Sequence, residues 1–149
     1  MQVGDFEAVA ALVRQLQRQP QAFGPAVEAV ECIETHISWL LLAGDGVYKF
    51  KKPLALDFLD FSTVALRRAA CLEELRINRR TAAGLYRGLV AVQDQGGALR
   101  VLPADEARGD AEPAVHMRRF AQKDLLSHVL ELQRLQPAHI DALARQVAQ

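Results

Sequence analysis

Residues 34–53 read E-T-H-I-S-W-L-L-L-A-G-D-G-V-Y-K-F-K-K-P. Trp39–Ala43 is an almost unbroken apolar run, as a buried strand would be. Gly44-Asp45-Gly46 follows, and Asp and Gly tolerate the positive φ that tight hairpin turns need. Val47–Lys52 is therefore the returning strand, and Pro53, which has no N–H to donate, stops it. Side chains on a strand alternate, so Val47, Lys49 and Lys51 share one face while Tyr48, Phe50 and Lys52 share the other. The first face mixes one apolar group with two ammonium groups. If a helix packs there, the lysines need an anion to offset desolvation, a helix glutamate or a phosphate. The same pattern also fits a solvated edge strand guarded by lysines.

Downstream, Leu54–Phe61 is an apolar connection with two aspartates, and Ser62-Thr63 is an N-cap signal. The helix it opens runs to about Ala82, and Gly84 follows as a stop. Leu66, Ala70, Glu74 and Ile77 fall on one stripe of this helix, which sets Glu74 among apolar neighbours. Glu73 is one residue round. Both glutamates have an alternative: solvated pairing with Arg76, Arg79 or Arg80. Leu85–Val92 and Leu99–Leu102 read as strands about a turn at Asp94–Gly97, and Ala114–Phe120 as another. Pro103–Pro113 is polar and reads as a surface loop. Gln122–Leu135 predicts an amphipathic helix, and Pro137 opens a last one.

Upstream, Asp5–Arg18 has apolar residues at helical spacing, with Gly4-Asp5 as its start and Pro20 as its end. Phe23-Gly24-Pro25 is a turn, and 27–34 alternates as a strand. Thr35-His36-Ile37-Ser38 then breaks the pattern with small polar groups. Its N–H groups and hydroxyls suit a phosphate, but it lacks glycine, and a histidine placed like His36 is more often a surface residue than a ligand or acid. Strands at 27–34, 38–43, 47–52, 86–92 and 114–119 should form one antiparallel sheet with the 62–82 helix packed on it, an α+β arrangement.

A chain of 149 residues suffices for one domain or one lobe of a larger one. Its 18 basic and 18 acidic side chains cancel, so charge offers no support for a nucleic-acid or anionic-membrane partner. Cys32 and Cys71 lie far apart without metal-ligand spacing, as reduced thiols of a cytoplasmic protein would. No histidine has such spacing to another, and no metal ligand is assigned. The longest apolar run is too short to span a bilayer. A helical pattern still running at Gln149, with no cap, reads as a chain cut inside a helix.

Together with L-D-F-L-D-F-S-T (56–63), E-E-L-R-I-N-R-R-T-A-A-G-L-Y (73–86) and V-H-M-R-R-F (115–120), the opening stretch resembles the N-terminal part of the bacterial aminoglycoside phosphotransferase-like family. Some members of that family carry a P-loop kinase domain after the kinase-like one. The resemblance covers nearly the whole chain from about Val30, with the motifs in order. It implies a protein-kinase-like fold: a small sheet lobe with one long helix, a hinge, then a helical lobe. It also implies ATP and magnesium as cofactors and a small-molecule acceptor that the sequence does not identify.

On this resemblance Lys49 matches the phosphate-binding strand lysine and Glu74 its helix partner. Lys51 shares the face of Lys49 and is the next candidate. Val47 would roof the adenine. Thr35, His36 and Ser38 stand where the phosphate loop would be, departing from its glycines. Met117, Arg119 and Phe120 resemble the strand leading into the hinge, whose backbone would bind adenine. The family's catalytic aspartate belongs to an H-G-D-type loop, and neither it nor a D-F-G-like sequence follows Phe120. Residues 27–120 would then be the nucleotide-binding small lobe, preceded by a helix and turn at 1–26. Residues 121–149 would be the hinge and first helices of a large lobe whose remainder holds the catalytic and metal-binding groups. Val129, Leu130, Ile140 and Leu143 would be left without their usual packing. Two rivals stay open: a non-catalytic kinase-like regulatory module, and a plain α+β interaction domain in which Lys49 and Glu74 form a structural ion pair.

Overall fold

The computed structural model describes residues 3–148. It is α+β: helix α1 (Val3–Arg18), strands β1 (Val30–Glu34), β2 (Ser38–Ala43) and β3 (Gly46–Lys51), and a minimal hairpin of β4 (Ala55–Leu56) and β5 (Leu59–Asp60). Helix α2 (Val64–Ala82), strands β6 (Tyr86–Gln95), β7 (Ala98–Pro103) and β8 (Glu112–Arg118), and helices α3 (Leu126–Glu131) and α4 (Pro137–Val147) follow. Six strands form one sheet in the order β1-β2-β3-β8-β6-β7, each pair antiparallel. The chain divides into two compact units, the second beginning at Phe120.

The sheet of the first unit is covered on both faces. Trp39, Leu41, Tyr48, Phe50, Ala114, Val90, Val92 and Leu99 meet Val9, Val13 and Leu16 of α1, and Phe6 tilts against Trp39 at 5.4 Å between ring centres. The helix at the N-terminus thus completes a core rather than standing apart from the sheet. Leu42, Val47, Val115 and Met117 on the opposite face pack under Cys71 and Leu75 of α2. Cys32 lies with the first cluster and Cys71 with the second, so the sheet separates the two free thiols. No described helix is long and apolar enough to cross a membrane.

Several boundaries differ from expectation for local reasons. β1 begins at Val30, not Val27, because its partner β2 reaches the hairpin at Ala43 and offers nothing opposite residues 27–29. The hairpin loop is Gly44-Asp45, with Gly44 at φ +57°. β6 and β7 extend to Gln95 and Ala98 because Gly96 and Gly97 both take positive φ, as a two-residue hairpin loop demands. α1 is already helical at Val3, so Asp5 sits in its first turn, where the helix dipole favours an anion. The 122–135 stretch is not one helix. It is a 3-10 turn over 122–124, then α3, which ends before Gln133 at φ +55°.

The α2 stripe also differs. Thr63 caps the helix by accepting from the Leu66 N–H, but Leu66 and Ile77 are exposed. The inward face is instead Arg67, Cys71, Glu74 and Leu75. A buried arginine hides this face from any hydrophobic pattern. In the second unit no described residue is fully buried. Leu126, Leu130, Leu132, Ile140, Leu143 and Val147 are exposed, and Val129 is half-buried.

Gly46 is required by contact rather than by backbone angle. A Cβ there would lie 2.9 Å from both His116 Nε2 and Tyr48 Cε2, and those two rings stack on each other at 4.5 Å. Gly46→Ala is expected to cost about 1–3 kcal/mol by overpacking, read as a lower denaturant midpoint with an unchanged slope.

Candidate functional site

The site is built where β3 meets α2. Parity along β3 aims Lys49 and Lys51 at the α2 face, and helical spacing aims Glu74 at the sheet. Lys49 Nζ donates to Glu74 Oε1 at 2.9 Å and Lys51 Nζ donates to Oε2 at 2.7 Å. One carboxylate therefore holds two ammonium groups. Lys51 is 6% exposed, Glu74 12% and Lys49 27%, so the cluster opens to solvent on the Lys49 side. Burial alone would raise the Glu74 pKa. Hydrogen bonds from Lys51 and Lys49 outweigh it and hold the carboxyl below the ordinary glutamate value. Glu73 faces out and forks onto Arg76 at 2.6 and 2.8 Å, the solvated alternative.

A second ionic contact fixes α2 two turns earlier. Arg67 Nε and Nη2 each donate to Glu112, at the start of β8, at 2.7 Å. Arg67 Nη1 donates to the carbonyls of Phe61 and Ser62 at 2.8 and 3.2 Å. Both partners are buried. Burial pushes the Glu112 carboxyl above its ordinary pKa, with Arg67 opposing. Cys71, between this pair and Glu74 on the same face, is pushed up to about 12 by burial and is no nucleophile at neutral pH. The Arg67–Glu112 pair spans 45 residues, and no local spacing announces it.

The β1–β2 turn is closed on itself. Thr35 Oγ1 accepts from Ser38 N at 3.0 Å and donates to Ser38 O at 3.1 Å, and Thr35 N donates to the same carbonyl. His36 is exposed. Ser38 is fully buried, opposite Lys51, and its hydroxyl has no hydrogen-bond partner. As placed, the turn holds its shape but turns no free hydroxyl outward from Thr35 or Ser38.

Val47 and Met117 are register partners on the α2 face, both buried. The Arg118 N–H donates to Leu85 O at 2.8 Å and the Arg119 N–H to Asp45 O at 2.7 Å. Those two donors are thus committed within the first unit. The Arg119 side chain pairs with Glu31 of β1 at 2.7 Å. Phe120 opens the second unit and is exposed. The structure thus brings Lys49, Lys51 and Glu74 together, with Val47 on the same face of β3 as the lysines. It leaves His36 apart and uses Thr35 and Arg119 within the fold. Among the described residues no group of three or more His, Cys, Asp or Glu side chains is placed to hold a metal.

No family model matches the chain, and no solved structure matches it. Uncharacterized proteins of Mycobacterium bovis and of two strains of Mycobacterium tuberculosis are each 35% identical to it over 119 residues, 80% of this chain. The match spans 22% of each relative's length, so the chain is similar to about a fifth of those proteins.

Proposed function

We propose that this chain is the ATP-binding small lobe of a small-molecule phosphotransferase of the aminoglycoside phosphotransferase-like kind. The observation that carries the reading is the Lys49–Glu74 contact, from the third strand of the sheet to the helix that follows it. Phosphotransferases of the kinase type use that pairing to hold the non-transferred phosphates of ATP. The resemblance of residues 34–53, 56–63, 73–86 and 115–120, from which Lys49 and Glu74 take these roles, accords with it.

ATP fits these residues in one respect that can be counted: two ammonium groups against one carboxylate leave a positive charge, and its exposed member is Lys49. Lys49 would bind phosphate and Glu74 would orient Lys49, whereas Val47, which the resemblance gives to the base, is buried on the α2 face and would have to be uncovered to reach it. Bound with magnesium, ATP supplies the transferable phosphoryl group. Metal ligands and the group that orients the acceptor are assigned to no residue described here, so phosphoryl transfer by residues 1–149 alone is not expected. ATP binding by residues 1–149 alone is expected to be weak.

ATP with magnesium is expected to raise the melting temperature of the wild-type chain, and Lys49→Met to abolish that rise while leaving the circular dichroism unchanged. A rise of equal size in Lys49→Met, or none in the wild type at millimolar ATP, would overturn the reading. The second result would favour the rival in which Lys49 and Glu74 are a structural pair of an interaction domain.

A further inference from the structure

Two lysines on one carboxylate are not equivalent here. Lys51 is enclosed: Glu74 lies 2.7 Å from its ammonium, the Phe61 ring 5.0 Å away at its centre, and buried Ser38 opposite it on β2. Phe61 is itself held, its N–H donating to Leu54 O and its carbonyl accepting from Arg67. Lys49 has the same carboxylate but stands at the open side, more than four times as exposed. An ammonium that cannot reach solvent must keep its anion, whereas one at the rim can exchange it for another.

We propose that Lys51 is a positioning residue: it neutralises Glu74 and so leaves the charge of Lys49 for a ligand phosphate. This rests on the nucleotide reading above and adds the division of labour between the lysines. Without Lys51, Glu74 would hold Lys49 as a closed, neutral pair, and a phosphate approaching it would meet no net charge. The role is electrostatic, which gives it a consequence that packing would not have. Deleting Lys51 should weaken phosphate binding, and deleting Glu74 as well should restore it.

The experiment measures binding of ATP and of inorganic tripolyphosphate to the full chain and to Lys51→Met, Lys51→Arg and Lys51→Met/Glu74→Gln. Melting is followed on the same proteins and on Lys49→Met, each with and without Glu74→Gln. Lys51→Met is expected to lose about tenfold or more in affinity, the order of one charge-assisted hydrogen bond. Lys51→Arg should keep most of the affinity, and the double variant should recover it. Without ligand, Lys51→Met should lower the melting temperature more than Lys49→Met, and the order should reverse in the Glu74→Gln background, where removing Lys51 relieves a buried unpaired charge and removing Lys49 does not. A double variant no better than Lys51→Met, or a larger melting loss for Lys49→Met with Glu74 in place, overturns the assignment. Failure of the wild type to bind either ligand instead overturns the nucleotide reading, and the melting comparison then decides alone which lysine holds Glu74.

Discussion

Replacing Glu112 by alanine is expected to lower the unfolding free energy by about 3–5 kcal/mol, the usual cost of removing one partner of a buried ion pair. Arg67 would stay 2% exposed, with its two 2.7 Å bonds lost and only the carbonyls of Phe61 and Ser62 left as acceptors. The loss is a penalty for an unpaired charge, not the net worth of the pair, because burial already raises the Glu112 pKa despite Arg67. Arg67→Met combined with Glu112→Leu should therefore recover more than half of the loss. Recovery stays incomplete because the two carbonyls lose their donor. Denaturant titration of the single and double variants checks this, and a double variant as unstable as Glu112→Ala would contradict it.

The second large effect is expected at Glu74. Glu74→Gln leaves two ammonium groups side by side with no anion, and the loss should be about 3 kcal/mol, the low end for a buried pair because Lys49 can relax into water. An added polyanion should return part of the loss, since it would take the place of the carboxylate. The pH dependence has a fixed sign. The Glu74 pKa is held below its ordinary 4.5 in the folded chain, so its contribution is present above that value and is lost as pH falls through the depressed one. The stability difference between wild type and Glu74→Gln should be constant from about pH 7 to pH 5 and shrink toward pH 3. Glu112 acts oppositely: its raised pKa contributes stability below 4.5 that is lost as pH rises through the folded value. Acid titration of the wild type alone would mix the two, which is why the difference between the two proteins is the quantity to follow. A difference that grows on acidification would exclude the pairing described here.

Where the sequence was sufficient, the constraint was local. The loop at Gly44-Asp45 and the stop at Pro53 follow from backbone chemistry within a few residues; α2 ends at Ala82 without Gly84 taking the positive φ of a glycine cap. The two-residue period by itself puts Lys49 and Lys51 on one face of β3. The position of Glu74 on α2 left inward and solvated readings open, and the contact with Lys49 selects the inward one. What the tertiary structure decided was which faces meet. A period of two does not say which side of the sheet α1 covers and which α2, and Phe6, Val13 and Leu16 show only that α1 has an apolar stripe. The inward face of α2 escapes an apolar-stripe reading because Arg67, the residue that anchors it, is polar. Its partner Glu112 lies at the start of a strand in a stretch that reads as surface loop. Nor does spacing distinguish Lys49 from Lys51: exposures of 27% and 6% do, and they depend on the 54–61 connection folding Phe61 over Lys51. Charge pairing over tens of residues leaves no periodic trace, because each partner is set by desolvation and distance in the folded chain.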